Sequence, residues 1–198
     1  MVGKAGITNI LSSFYFKFFT AQNYNCHITD INPYNLFKLV YFNKTMMKFI
    51  SRFQKYKLLK VNVGTGEFIS YLSDSLIKRA LGLMFLENIN NNYAMLFKFP
   101  NLAKHAIWMK NMQFSIDAIW LDENLKVIHI EENLPPASSI IPISYKSFYK
   151  AKYILEMPSG SVEEKSIKRL SNVTIDETYA SYKSCKLGEC PVNSQLKF

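Results

Sequence analysis

Long apolar runs are missing from this chain of 198 residues. No stretch reaches the roughly 18 uninterrupted apolar residues that a membrane-spanning helix needs. Cysteine is scarce: Cys26, Cys185 and Cys190 are the only three, too few for the disulfide framework of a small secreted scaffold. Cys185 and Cys190 flank Lys-Leu-Gly-Glu without a neighbouring histidine or third cysteine. They offer either one small disulfide loop or two solvated thiols, and no zinc site. Glycine is sparse as well, at seven, and no phosphate-cradling loop is spelled out. His-Glu-x-x-His and Gly-x-Ser-x-Gly are also absent. These absences remove the well-marked classes of nucleotide hydrolase, zinc peptidase and serine hydrolase, and they lead us to expect neither a metal nor a cofactor. His105 and His129 stand alone, and each reads as a satisfied surface or edge histidine before it reads as a ligand.

Acid is unevenly distributed. Residues 1–57 hold eight Lys/Arg and a single acidic residue, whereas residues 58–176 hold thirteen and twelve, and residues 177–198 three and two. The net charge of +9 therefore belongs to the N-terminal arm. A near-neutral domain carries no electrostatic footprint for a polyanion, so no nucleic-acid partner is expected of it. The arm, 1–57, holds thirteen of the 29 aromatic residues with no regular helical or strand period. It reads as a degenerate targeting segment, as a basic aromatic surface binder, or as sequence upstream of a start at Met46 or Met47.

A hydrophobic content of 48% with 20% charged residues is that of a globular chain. "LLKVNV" and "EFISYL" have strand character and are separated by Gly64-Thr65-Gly66. "SDSLIKRALGLM" has helical spacing, with Ser73 or Asp74 as the N-cap and Gly82 at the C-terminal end. "YAMLFKF" predicts a strand closed by Pro100. Met112, Phe114 and Ile116 alternate with polar residues as in a half-buried strand, which becomes buried on both faces from Ala118. Asp122-Glu123-Asn124 predicts a hairpin turn with asparagine in the left-handed conformation. In the returning strand Ile128 and Ile130 share one face, and Val127 and His129 the other. After a long Pro-containing connection, "KYILEM" is a further strand. "SVEEKSI" predicts a short helix with a Ser161–Glu164 capping box, and "NVTI" ends the domain. Many short strands with two short helices give a mainly β domain over 58–176, a compact sandwich or barrel-like fold, followed by a polar tail, 177–198.

Four blocks resemble one family in order and spacing: "RALGLMF" (79–85), "AMLFKF" (94–99), "IWMKNMQFSIDAIWLD" (107–122) and "YILEMPSG" (153–160). Together they resemble domain of unknown function 192, over about residues 60–176. Ala94, Met112, Ser115 and Asn124 depart from the residues usual in that family. The resemblance implies a small, compact, mainly β domain. It implies no reaction, because the family has no assigned activity. Many members carry export signals, which implies the cell envelope; the lack of a clean signal peptide here points instead to the cytoplasm.

The polar positions in those blocks are Arg79, Lys110, Asn111, Asp117 and Glu156, with Trp108 beside them. Carboxylates next to strongly apolar strands need donors, and Arg79, Lys110 or turn amides could supply them. Two readings follow. In one, the group is an internal clasp that fixes strand ends. In the other, Trp108 is the flat face of a pocket in which the polar groups bind a small polar ligand or an envelope component. A third, a hydrolase using Asp117 and Glu156 as an acid/base pair, requires their carboxyl groups to converge in an open cleft. A domain that serves only as a structural interaction surface is the remaining class. The residues favour binding over catalysis.

Overall fold

Alternation in the first two strands builds both faces of a sheet. β1 (Lys55–Val63) sends Leu59, Val61 and Val63 to one side and Tyr56 and Leu58 to the other, and β2 (Gly66–Ser73) divides Phe68 and Leu72 from Tyr71 in the same way. Period-two patterning of this kind places successive side chains on opposite faces. The computed structural model describes residues 48, 50, 51, 54–137, 144–181 and 184–188. Expectations about residues 1–47, Cys26 and Cys190 lie outside the described residues. The remaining strands are β3 (Tyr93–Ala103), β4 (Ala106–Trp108), β5 (Ile116–Leu121), β6 (Val127–Leu134), β7 (Ser144–Lys146), β8 (Ala151–Pro158), β9 (Val173–Asp176) and β10 (Ser184–Lys186).

Eight of them form one sheet in the order β10-β1-β2-β3-β8-β5-β6, with β9 also paired to β1; β4 and β7 form a separate two-stranded ladder. The sheet is curled into a half-barrel, and its pairings are antiparallel except β2 with β3. Two antiparallel neighbours need only a turn, but parallel strands need a crossover. That crossover carries helix α1 (Leu76–Leu81). The second helix is α2 (Ser161–Glu164). Mainly strands, with two short helices among the described residues of the domain, is the class expected from the sequence.

A core lies on each side of the sheet. One contains Tyr71, Met95, Phe97, Met109, Met112, Ala118, Trp120 and Ile154. The other contains Val61, Phe68, Leu96, Ile119, Leu121, Leu155, Met157 and Val162. β5 is buried at all six positions, as its unbroken apolar run implies. Trp120 donates its indole N–H to the His105 carbonyl at 3.0 Å, which satisfies the polar edge of a fully buried ring.

Local details differ from the sequence expectations for identifiable reasons. Ser75, not Ser73 or Asp74, caps α1, its hydroxyl accepting from the Lys78 N–H at 3.3 Å; Ser73 is still in β2. β3 runs through Pro100 to Ala103. Its ladder with β8 breaks between Lys98 and Ala103, so no partner requires the N–H that proline lacks. Residues 109–115 form turns and bends, and β5 starts only at Ile116. Leu125 (φ 60), not Asn124, takes the left-handed conformation. Asp122 Oδ1 accepts from the N–H groups of both Asn124 and Lys126 at 2.9 Å and closes the turn one residue later. A register shift between Trp120 and Leu121 then puts Ile128 against one core and Ile130 against the other, because a bulge exchanges the faces of a strand.

The turn between β1 and β2 shows why glycine is required at one position. Gly64 has φ 59, and a Cβ there would come within 2.2 Å of the Lys165 carbonyl oxygen. The next N–H, of Thr65, donates to that same oxygen at 2.9 Å. The turn thus docks the backbone after α2 onto the end of the sheet.

Candidate functional site

Asp117 is entirely buried. It belongs to the face of β5 that carries Ile119 and Leu121, and its carboxylate faces two backbone donors. Oδ1 accepts from the Asn133 N–H and Oδ2 from the Val162 N–H, each at 2.9 Å. Val162 lies in the first turn of α2, whose N–H groups have no partners within the helix. A strand residue therefore does the capping that the Ser161–Glu164 box was expected to do. Gly160 precedes α2 at φ 87 and supplies no side-chain cap. Asn133 sits at φ 55, a conformation that asparagine tolerates, and the Ser159 hydroxyl bonds its side-chain oxygen. Asp117 thus ties together the end of β6, the end of β8 and the start of α2.

Asn111 does a different job on the other side of the sheet. It occupies the third position of the turn Met109–Met112, closed by the Met112 N–H to the Met109 carbonyl at 3.3 Å. Its φ of 56 is what that position of a type II turn demands, and asparagine is the usual substitute for glycine there. Its carbonyl accepts the Phe85 N–H at 3.2 Å, and its side-chain amide points at the Met84 sulfur at 3.8 Å. The blocks "RALGLMF" and "WMKNM" therefore meet in space. Replacing Asn111 by valine will cost about 1–2 kcal/mol, since a β-branched residue resists positive φ, while Asn111→Gly will cost less; chemical unfolding of the two variants checks this. Trp108 is half-buried in β4 opposite Ser144. Lys110 is half-buried in the turn, and desolvation lowers its ammonium pKa.

Glu156 is 5% exposed. It pairs with Met95 on one side and Ala118 on the other, and its Oε2 lies 4.0 Å from where a Cβ on Gly82 would be. Among the described residues nothing donates a hydrogen bond to it. Burial pushes its pKa up from 4.5 to about 8, so the carboxyl group is protonated at neutral pH. The register pairs Asp117 with Met157 and Ala118 with Glu156. Partners across a ladder share a face, so Asp117 points to the side of Met157 and Glu156 to the side of Ala118. The two carboxyl groups face opposite sides of the sheet and do not converge in a cleft.

Arg79 stands apart from all of these. Its Nη1 donates to the carbonyls of Asp74 (2.7 Å) and Lys98 (2.9 Å), and its guanidinium lies 5.6 Å from the centre of the Phe99 ring. It supports neither Asp117 nor Glu156. Arg79 forms part of the wall of an open groove of about 440 Å³ with Lys57, Lys98, Lys152, Asp74, Glu177 and Phe99. A smaller concavity of about 150 Å³ lies beside Met84, Phe85 and Leu86. Of the six residues singled out from the sequence, Arg79 alone lines either. Lys57, Lys98 and Lys152 were not singled out, because isolated lysines on separate strands leave no motif. Beneath the groove, His105 stacks on Phe99 with centroids 3.6 Å apart and donates Nε2–H to the Asn101 carbonyl at 2.9 Å. Burial lowers the His105 pKa; the Asn101 bond partly offsets this, and Arg79 and Lys152 lower it further.

Among the described residues, no three His, Cys, Asp or Glu side chains are grouped to hold a metal ion, and no helix is long and apolar enough to cross a membrane. Cys185 is disulfide-bonded, and its partner lies outside the described residues.

Comparison with known proteins agrees with this architecture. UPF0127 protein PH1112 of Pyrococcus horikoshii is 38% identical over 97 residues, covering 46% of this chain and 74% of its own length. A UPF0127 protein of Thermococcus gammatolerans is 27% identical over 113 residues, covering 57% and 70%. Two solved structures share the fold. One, from Sinorhizobium meliloti 1021, is provisionally described as a transcription regulator; it has a TM-score of 0.57 at 21% identity and covers 62% of this chain and 96% of its own. The other, a protein of unknown function from Novosphingobium aromaticivorans, has a TM-score of 0.53 at 22% identity and covers 59% and 83%. The profile of domain of unknown function 192, described as Uncharacterized ACR, matches residues 61–175, and the chain belongs to that family.

Proposed function

We propose that the domain is a binding module that seats a small anionic ligand, carrying a carboxylate or phosphate group, in the groove beside Arg79. One observation carries this reading: the Arg79 guanidinium is pinned by two backbone carbonyls at the wall of a groove it shares with three lysines. Nη1 makes both of those bonds, which leaves the Nε and Nη2 donors for a ligand. A guanidinium held in place loses little freedom on binding and matches the fork of a carboxylate or phosphate. Of the two acids of the groove, Asp74 is engaged by Lys78 at 3.2 Å and Glu177 by the groove's own Lys98 at 3.9 Å, which leaves Arg79, Lys57 and Lys152 as the cations not taken up by an acid of the groove. Phe99 adds an apolar wall, in keeping with the mixed lining of small-molecule sites. The opposed faces of Asp117 and Glu156 favour this reading over two-carboxylate hydrolysis.

Titration with inorganic phosphate and with citrate, followed by NMR, tests it. Amide shifts should concentrate at residues 79, 98–101 and 152, and the His105 pKa should rise, because a bound anion offsets Arg79 and Lys152. Lys57→Ala/Lys152→Ala should weaken the response several-fold, and Arg79→Lys should as well. Shifts scattered over the surface, or a response that the variants leave unchanged, would remove the groove from consideration.

A further inference from the structure

Three large apolar side chains stand in water on one part of the surface. Phe148 is 79% exposed, Tyr149 52% and Leu170 69%. They come from two separate segments, the connection from β7 to β8 and the loop after α2. The Arg169 guanidinium, 5.5 Å from the centre of the Tyr149 ring, brings the two segments together. Both are well anchored. The Tyr149 N–H donates to the hydroxyl of the buried Ser147 at 3.0 Å. The Leu170 N–H donates to the Val127 carbonyl at 2.8 Å, and the Ser171 N–H to the Lys168 carbonyl at 3.1 Å. Leu170 is held at φ 69, a conformation a leucine side chain disfavours. Among the described residues, burial of the Leu170 side chain does not offset this strain.

The charged residues within these two segments are of one sign. Lys146, Lys150, Lys168 and Arg169 are all exposed. Residues 144–151 and 165–172 contain no acidic residue, and the neighbouring Glu164 is tied to Lys165 at 2.7 Å. Apolar projections flanked in sequence by cations match an anionic lipid surface: the apolar groups enter the headgroup layer while the cations meet lipid phosphates. A nucleic acid would use the cations and a ring; three apolar side chains projecting from two segments suit the headgroup layer better.

We propose that Phe148, Tyr149 and Leu170, with the surrounding Lys146, Lys150, Lys168 and Arg169, dock this domain on an anionic lipid bilayer. The test uses the full chain with vesicles of phosphatidylcholine alone or mixed with phosphatidylglycerol. The parent should co-sediment with the mixed vesicles and lose that binding as salt rises. Phe148→Ser/Leu170→Ser should weaken it by about tenfold or more, and Lys150→Glu/Arg169→Glu should weaken it similarly. All these positions are exposed, so the variants should keep the parent's thermal unfolding curve. Phe148→Trp gives a readout local to the patch, because its emission should shift to the blue on the mixed vesicles. Failure of the parent to sediment, sedimentation of both double variants like the parent, or an unshifted Phe148→Trp emission would each overturn the proposal. So would variants that lose binding to a DNA duplex while retaining vesicle binding.

Discussion

At pH 9 the Glu156→Gln variant will be more stable than the parent by on the order of 4 kcal/mol, and by pH 5 that advantage will have fallen to about 1 kcal/mol or less. Glu156 is buried among apolar side chains with its pKa raised from 4.5 to about 8. Between these values the folded protein keeps a proton that the unfolded chain has released. Stability therefore falls as pH rises from about 4.5 to about 8, and levels off above that with the full cost of a buried carboxylate in place. Glutamine has the same shape and no charge to desolvate, so its stability lacks this slope. At pH 5 both side chains are neutral, and the variants should lie within about 1 kcal/mol of each other. Urea unfolding at several pH values between 5 and 9 measures the difference directly. Parallel curves for parent and variant would show that Glu156 ionises freely in the folded protein.

The same residue shows where sequence reading stops. Glu156 was legible as a carboxyl group beside an apolar strand, and so was Asp117. What separates them is parity. Asp117 stands opposite Met157 and Ala118 opposite Glu156, so a one-residue difference in register decides whether the two carboxyl groups meet or face away from each other. Nothing local in "FSIDAIWL" or "KYILEM" encodes that register. It follows from the way both strands pack between two cores. The strands themselves were readable, because Val61, Phe68, Leu96, Ile119 and Leu155 recur at a spacing that only a sheet can bury.

Failures at the level of turns have the same origin. Met112, Phe114 and Ile116 alternate like a strand, yet Met112 is buried by a turn that the left-handed Asn111 permits. Pro100 looked like a terminator, but the break in pairing beyond Lys98 makes it harmless. The groove was the least legible feature. Its walls come from β1, β2, Asp74, α1, β3, β8 and Glu177. Arg79 alone carried a signal, and it carried it as part of a block that also serves packing. Recognising the four blocks located the family; it did not separate the residues that hold the fold from those that face a ligand.

Asp117 belongs to the residues that hold the fold, and the size of its effect should show it. Asp117→Ala will destabilise the domain by about 2–4 kcal/mol, because the Asn133 and Val162 N–H groups both lose their acceptor in a site without water access. Asp117→Asn will be nearly as costly despite its shape. A carboxamide has one acceptor oxygen, so its amino group must confront the second N–H, donor against donor. A residue needed only for its volume would tolerate asparagine and suffer from alanine, so the pair of variants separates a bonding role from a packing role. Hydrogen exchange gives a local reading. Amide protection at Asn133 and Val162 should fall in both variants under native conditions, ahead of protection in the middle of β5. Variants within about 0.5 kcal/mol of the parent, with both amides still protected, would mean that the start of α2 is held by its packing in the core around Val162 and not by the carboxylate beneath it.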